Sequence, residues 1–165
     1  MAKQCNHYDM AFERLLRLIR RPYVSVNETR RALFQETSLK SMDFVVYSQQ
    51  TTNLLIDVKG RRSQAGRHRW ESWTTEEDIA SLMQWEQVFG NGFKGLLVFA
   101  YELTQAAECR QHSLVWDLRG RRYAFYGVWA QDYAQVMQPR SLSWQTVFLP
   151  ARDFRRLRQP LLDLL

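Results

Sequence analysis

One carboxylate and one lysine stand inside an apolar run, Leu54-Leu55-Ile56-Asp57-Val58-Lys59-Gly60. A strand buried on both faces reads as continuous apolar residues, and an ionised side chain there costs several kcal/mol, roughly, unless it is paired or coordinated. Alternation along a strand puts Asp57 and Lys59 on one face and Leu54, Ile56 and Val58 on the other. A second apolar run, Met42-Asp43-Phe44-Val45-Val46-Tyr47, carries Asp43 near its start, and Gln49 to Thr52 reads as a turn. An antiparallel hairpin centred near Gln50 sets Asp43 opposite Asp57, because their numbers are symmetric about that point. The expected product is two carboxylates and an ammonium on one patch of sheet.

Two acidic oxygen donors of this kind suit a hard divalent cation, Mg²⁺ or Mn²⁺, which prefers carboxylate, carbonyl and water ligands. Such an ion polarises a phosphoryl oxygen and acidifies a bound water, while Lys59 orients or helps deprotonate that water and balances charge at the scissile phosphate. The chemistry indicated is phosphodiester hydrolysis. A structural alternative makes Asp43 a strand-start residue and Asp57 with Lys59 an edge-strand ion pair, since D-x-K alone is a short pattern.

On Asp43 in Ser41-Met42-Asp43-Phe44 and on the triplet Asp57-Val58-Lys59, the chain resembles the PD-(D/E)XK nuclease superfamily, closest to its archaeal Holliday-junction resolvase and restriction-endonuclease-like branch. Glu13, in Phe12-Glu13-Arg14-Leu15-Leu16, fits the first-helix glutamate of many members; its other reading is a surface ion-pair partner of its arginine neighbours. Met42 stands where the superfamily's proline would precede Asp43. The resemblance implies a metal-dependent deoxyribonuclease, an endonuclease acting on DNA with Asp43, Asp57 and Glu13 at the metal and Lys59 at the attacking water. It also implies a homodimer. The alternative function is a catalytically silent nucleic-acid-binding or protein-interaction module on the same fold.

The order of elements agrees. His7 to Arg20 reads as an amphipathic helix with a stripe of Tyr8, Phe12, Leu15, Leu16 and Ile19, ended by Pro22. Pro22 to Val26 reads as a strand, Asn27 to Phe34 as a helical excursion, and the two site-bearing strands follow. Thr74 with Glu77 predicts a capping box opening a helix whose apolar face runs through Ile79, Leu82, Met83, Trp85, Glu86 and Phe89. Gly90-Asn91-Gly92 stops it, and Phe93 to Tyr101 is a long buried strand. The expected fold is α/β, a restriction-endonuclease-like core of helix, three strands, helix, strand over about residues 8–101. A C-terminal extension over about 102–165 adds a hairpin around Gly120 (Leu114 to Leu118 with Tyr123 to Ala130), a helix at Gln131 to Met137, a strand at Thr146 to Leu149 and a basic helix at Ala151 to Arg158.

At 165 residues and 45% apolar content the chain supports one core and a single domain. No apolar stretch is long enough to cross a membrane and none resembles a signal peptide, so the expected location is the cytoplasm. Cys5 and Cys109 are too few for a disulfide framework or a zinc site. The formal charge of +6 favours a polyanionic partner, and 19 of the 23 basic residues are Arg, the residue suited to bidentate phosphate contacts. They cluster directly after the proposed site at Arg61, Arg62, Arg67, His68 and Arg69, in a stretch read as a loop that tracks DNA; Trp70 and Trp73 beside it read either as base-stacking platforms or as core residues. The apolar ending Leu157, Leu161, Leu162, Leu164, Leu165 is expected to dock on the core, with a subunit contact as the second reading.

Overall fold

The apolar runs pair as strands of one central sheet with a helix on each face. The structure, a computed structural model, describes residues 6–27, 31–35, 37–48, 52–63 and 70–165. In chain order these form α1 (His7–Leu18), β1 (Tyr23–Ser25), β2 (Ala32–Phe34), β3 (Thr37–Leu39), β4 (Phe44–Val46), β5 (Asn53–Arg62), β6 (Thr74–Thr75), α2 (Glu76–Phe89) and β7 (Phe93–Leu103). There follow α3 (Ala106–Cys109), β8 (Trp116–Leu118), β9 (Arg121–Trp129), α4 (Ala130–Val136), β10 (Gln138–Ser141), β11 (Thr146–Phe148), α5 (Ala151–Leu157), β12 (Gln159–Pro160) and a 3₁₀ turn at Leu161–Asp163. The mixed α/β architecture and the order helix, three strands, helix, strand in the main sheet are as the sequence indicates.

Within the central sheet the strands lie in the order β1, β4, β5, β7, β9, β12, with β8 also on β9. β4 and β5 pair antiparallel with Phe44 opposite Ile56 and Val46 opposite Leu54, the register that symmetry about Gln50 requires. β5 and β7 then run parallel from Asn53 beside Phe93 to Arg62 beside Glu102, which demands a crossover, and α2 supplies it. Both middle strands are covered on both sides; β7 is accordingly almost wholly apolar, and β5 is buried over Leu54 to Val58 and apolar there except at Asp57. Phe12, Leu15 and Leu16 of α1 pack on Phe44, Leu54, Ile56 and Val58. Ile79 and Leu82 of α2 pack on the other face with Val45, Leu55, Leu97 and Phe99. Asp57 and Lys59 share the face of Leu55, so they point toward α2.

Three local expectations are corrected. The segment read as a helical excursion ends in the strand β2, which pairs antiparallel with β3 just beyond it, Ala32 opposite Leu39. The cap of α2 is Thr75 rather than Thr74, and its box partner is Asp78 rather than Glu77: Asp78 N donates to Thr75 Oγ1 and Thr75 N donates to Asp78 Oδ2, both at 3.1 Å. The apolar face of α2 is also narrower than its composition suggests, since Met83 and Phe89 keep 37% and 38% of their surface exposed. Thr74 instead joins a small second sheet, β10, β11, β6, that the sequence did not reveal beyond its β11 strand. The chain's end docks, with Leu161 buried and Leu164 and Leu165 against the α1-face core.

Gly60 marks a close approach. A Cβ built there would lie 2.0 Å from Cδ2 of Tyr8, because the Tyr8 ring lies directly on the backbone of β5. Gly60→Ala should therefore destabilise the fold by about 1–3 kcal/mol through overpacking. In a Tyr8→Ala background the same change should cost less than half as much. Denaturant unfolding of the four proteins of that cycle measures both, and equal costs in the two backgrounds would disprove the contact.

Candidate active site

The end of β4 brings the first carboxylate to the site. β4 leaves the regular ladder at Asp43, whose amide donates to Ile56 O at 2.8 Å and whose carbonyl accepts from Val26 N at 2.8 Å. Its carboxylate turns onto β5 and accepts from Val58 N at 2.7 Å, touching the peptide that joins Asp57 to Val58. The two aspartates of the hairpin thus meet at one peptide unit, as the register predicts.

Asp57 and Lys59, on the α2-facing side, are both largely buried. The Lys59 ammonium lies 2.7 Å from Asp57 Oδ2, a charge-assisted contact between two buried groups. A second carboxylate, unforeseen in the sequence, completes the pair: Asp78 Oδ2 of α2 lies 2.8 Å from the same ammonium. Asp78 also accepts from Thr74 Oγ1 at 2.6 Å and pairs with Lys40. Lys40 is itself fixed to α2, accepting at its carbonyl from Trp85 Nε1 at 2.9 Å and donating its amide to Ser81 Oγ at 3.3 Å. The signal for Asp78 was present as Thr75-x-x-Asp78 followed by Leu82 one turn on, which places the residue on the buried stripe.

Charges so packed fix their own protonation. Burial alone would push the Lys59 ammonium toward deprotonation, but Asp57 and Asp78 outweigh it and hold it above the ordinary lysine value. Burial likewise opposes the Asp78 carboxylate, and Lys59 and Lys40 overturn that, holding it well below the usual carboxylate range. Lys59 is therefore a fixed cation at neutral pH, able to donate a hydrogen bond and stabilise negative charge but not to act as a base. A cavity of about 10 Å³, roughly the room of one water, opens beside the cluster between Asp57, Asp78, Lys40 and Ser41.

Other predicted residues are placed differently. Glu13 lies on α1, across the sheet from Asp57, and accepts from Arg17 at 2.9 Å and from Tyr23 Oη at 2.7 Å. Among the described residues no group of three or more carboxylate, histidine or cysteine side chains is arranged to share an ion, so the structure does not bring Glu13 to the pair. Arg61 follows Lys59 on the same face but turns inward. Only 10% of its side chain is exposed; it donates to the carbonyl of Trp73 and stacks 4.0 Å from the centre of that indole. Arg62, on the opposite face, keeps 71% of its side chain exposed, 3.7 Å from Glu102. Arg67, His68 and Arg69 lie outside the described residues. Trp70 is a packing residue, edge-on to Tyr101 and Tyr126 beneath the Arg158 guanidinium.

A solved structure with a similar fold is Hjc, a Holliday junction resolvase from the archaeal hyperthermophile Archaeoglobus fulgidus. The match has a TM-score of 0.59 over 96% of this chain and 97% of that one, at 10% sequence identity. No family model and no curated protein match the chain. At that identity the likeness shows the fold alone. No helix among the described residues is long and apolar enough to cross a membrane.

Asp78→Asn removes one of the two carboxylates from Lys59 and should cost about 3 kcal/mol at neutral pH, the scale for breaking a buried pair. Because the folded Asp78 titrates below its unfolded value of about 3.9, its contribution is complete above that pH and fades as pH falls toward the folded value. Denaturant melts of wild type and variant should differ by a constant amount from pH 8 to about 5 and converge below about 4. A gap that does not narrow in acid would remove Asp78 from the charge cluster.

Proposed function

We propose that the chain is a metal-dependent endonuclease that hydrolyses phosphodiester bonds in branched or structured DNA, acting as one nuclease-like domain. The observation that carries this is the pair of buried aspartates, Asp43 and Asp57, meeting at one peptide unit beside the Lys59 ammonium, on a fold shared with a resolvase. Carboxylates so buried are costly unless they are paired or coordinated, and Lys59 is shared between Asp57 and Asp78.

The residues suit Mg²⁺ or Mn²⁺ of the kind held by one or two carboxylates together with substrate phosphate and water, rather than by an all-protein cage. Asp43 and Asp57 would hold the ion, and Glu13, engaged by Tyr23 and Arg17, is left out of the set. When bound, such an ion supplies Lewis-acid polarisation of the phosphoryl group and a more acidic water. The protein's own part is electrostatic: the Lys59 ammonium, held between Asp57 and Asp78, stands ready to donate to the phosphoryl oxygens as negative charge grows on them. Asp78 and Lys40 position that ammonium without touching substrate. The alternative, a silent nucleic-acid-binding module, draws on the same geometry, since two carboxylates already neutralise Lys59.

Cleavage of four-way junction, single-stranded and duplex DNA with Mg²⁺ or Mn²⁺ tests the proposal. Asp57→Asn should lower cleavage by about a hundredfold or more while DNA binding survives. Calorimetry should show Mn²⁺ binding to the wild type and its loss in the variant, and in EDTA the variant should melt lower, because Lys59 loses one of its two buried carboxylates. A wild type that binds no Mn²⁺ and cuts none of the three DNAs would decide for the silent module.

DNA affinity should fall with salt, each phosphate contact adding a slope of roughly 0.9 in log affinity against log salt. Arg62→Ala should reduce the slope by about one such contact. Arg61→Ala should act through stability instead, because its guanidinium holds Trp73 rather than facing solvent. Titrations of both variants at several salt concentrations, with melts alongside, distinguish the two arginines.

A further inference from the structure

The turn joining β10 to β11 carries two large apolar side chains into solvent, Leu142 with 84% and Trp144 with 78% of its surface exposed. Its shape is held by local bonds, not by burying those groups. Trp144 N donates to Ser141 Oγ at 3.4 Å, Gln145 N donates to Leu142 O at 3.3 Å, and Gln145 takes a left-handed backbone, φ 47°. An ordered turn that presents an indole and a leucine to water has the features of a contact surface.

Its position identifies what it contacts. β11 pairs with β6, Thr146 opposite Thr75, and Glu76 N donates to Gln145 O at 3.0 Å. The turn therefore springs from the first residues of α2, where Asp78 holds Lys59, on the sheet face toward which Asp57 and Lys59 point. Its base is polar and carries one cation. The Arg140 guanidinium stands 4.8 Å from the Trp73 ring, and behind it opens a cleft of about 450 Å³ lined by Trp70, Glu71, Trp73, Arg140, Phe148 and Leu149. A protein partner would meet these apolar groups with an apolar surround, whereas Arg140, Ser141 and Ser143 flank them here. Bases offer a stacking face next to phosphate, which is the complement of an indole next to guanidinium.

We propose that the β10–β11 turn is a second nucleic-acid contact, in which Trp144 and Leu142 wedge against unpaired nucleobases beside the scissile phosphate and the cleft behind receives a displaced base. This rests on the endonuclease reading and narrows its substrate to DNA with unpaired or strained bases. Aromatic stacking and apolar wedging both serve such DNA, because there the unstacking cost has already been met.

Trp144→Ala, Leu142→Ala and Trp144→Phe test it, with anisotropy titrations against a fully paired duplex and against a junction carrying unpaired nucleotides. All three should melt with the wild type, since neither side chain is buried. The preference for the junction over the duplex should fall about tenfold in Trp144→Ala, the scale of one lost base stack, and largely return in Trp144→Phe. If the wild type binds and cuts DNA and the variants keep its full preference, the wedge is wrong and the endonuclease reading stands. A wild type that binds neither DNA overturns both. If sedimentation shows a self-associating wild type that Trp144→Ala disperses, the turn is a subunit contact and the wedge is likewise refuted.

Discussion

The burial of one ammonium between carboxylates from two elements organises this protein. Lys59 belongs to β5 and Asp78 to the first turn of α2, so their ion pair ties the start of the crossover helix to the strand it must cover. Asp78 also closes the capping box of α2 and takes the hydroxyl of Thr74 in β6. A single carboxylate thus ends a strand of the small sheet, begins a helix and fixes a cation in the main sheet. Each task alone is worth of the order of 1 kcal/mol, but in a low-dielectric interior they reinforce one another.

That arrangement explains which parts of the site could be read in advance. Asp43, Asp57 and Lys59 were legible because charges inside apolar strands violate the local pattern, and because hairpin register follows from counting residues about a turn. Asp78 was not, since on a helix beginning Glu76-Glu77-Asp78 an acid in the first turn is unremarkable, and two overlapping threonine boxes fit the same letters. Arg61 misleads for another reason. A run of arginines looks uniform in sequence, but strand alternation sends Arg61 and Arg62 to opposite faces, one toward an indole and one toward solvent.

The fold follows the same division. Long elements with a strong period, α1, α2, β5 and β7, were readable because packing on the sheet agrees with local preference. The small sheet was hidden because its strands are two to four residues long and include Pro139, so no periodicity accumulates; pairing with β6 creates them. β2 and β3, three residues each, are lost for the same reason.

The outer strands of the main sheet carry one more implication. On one side β1 is three residues long and follows Pro22; on the other β9 is covered in part by β8 and in part by β12, which contains Pro160. Among the described residues neither margin offers a long row of free amides and carbonyls to an incoming chain, and proline removes a donor where the row would continue. Copies of this protein are thereby discouraged from zipping together backbone to backbone into extended aggregates. Such margins leave the choice of contacts to the protein's side-chain surfaces rather than to its backbone.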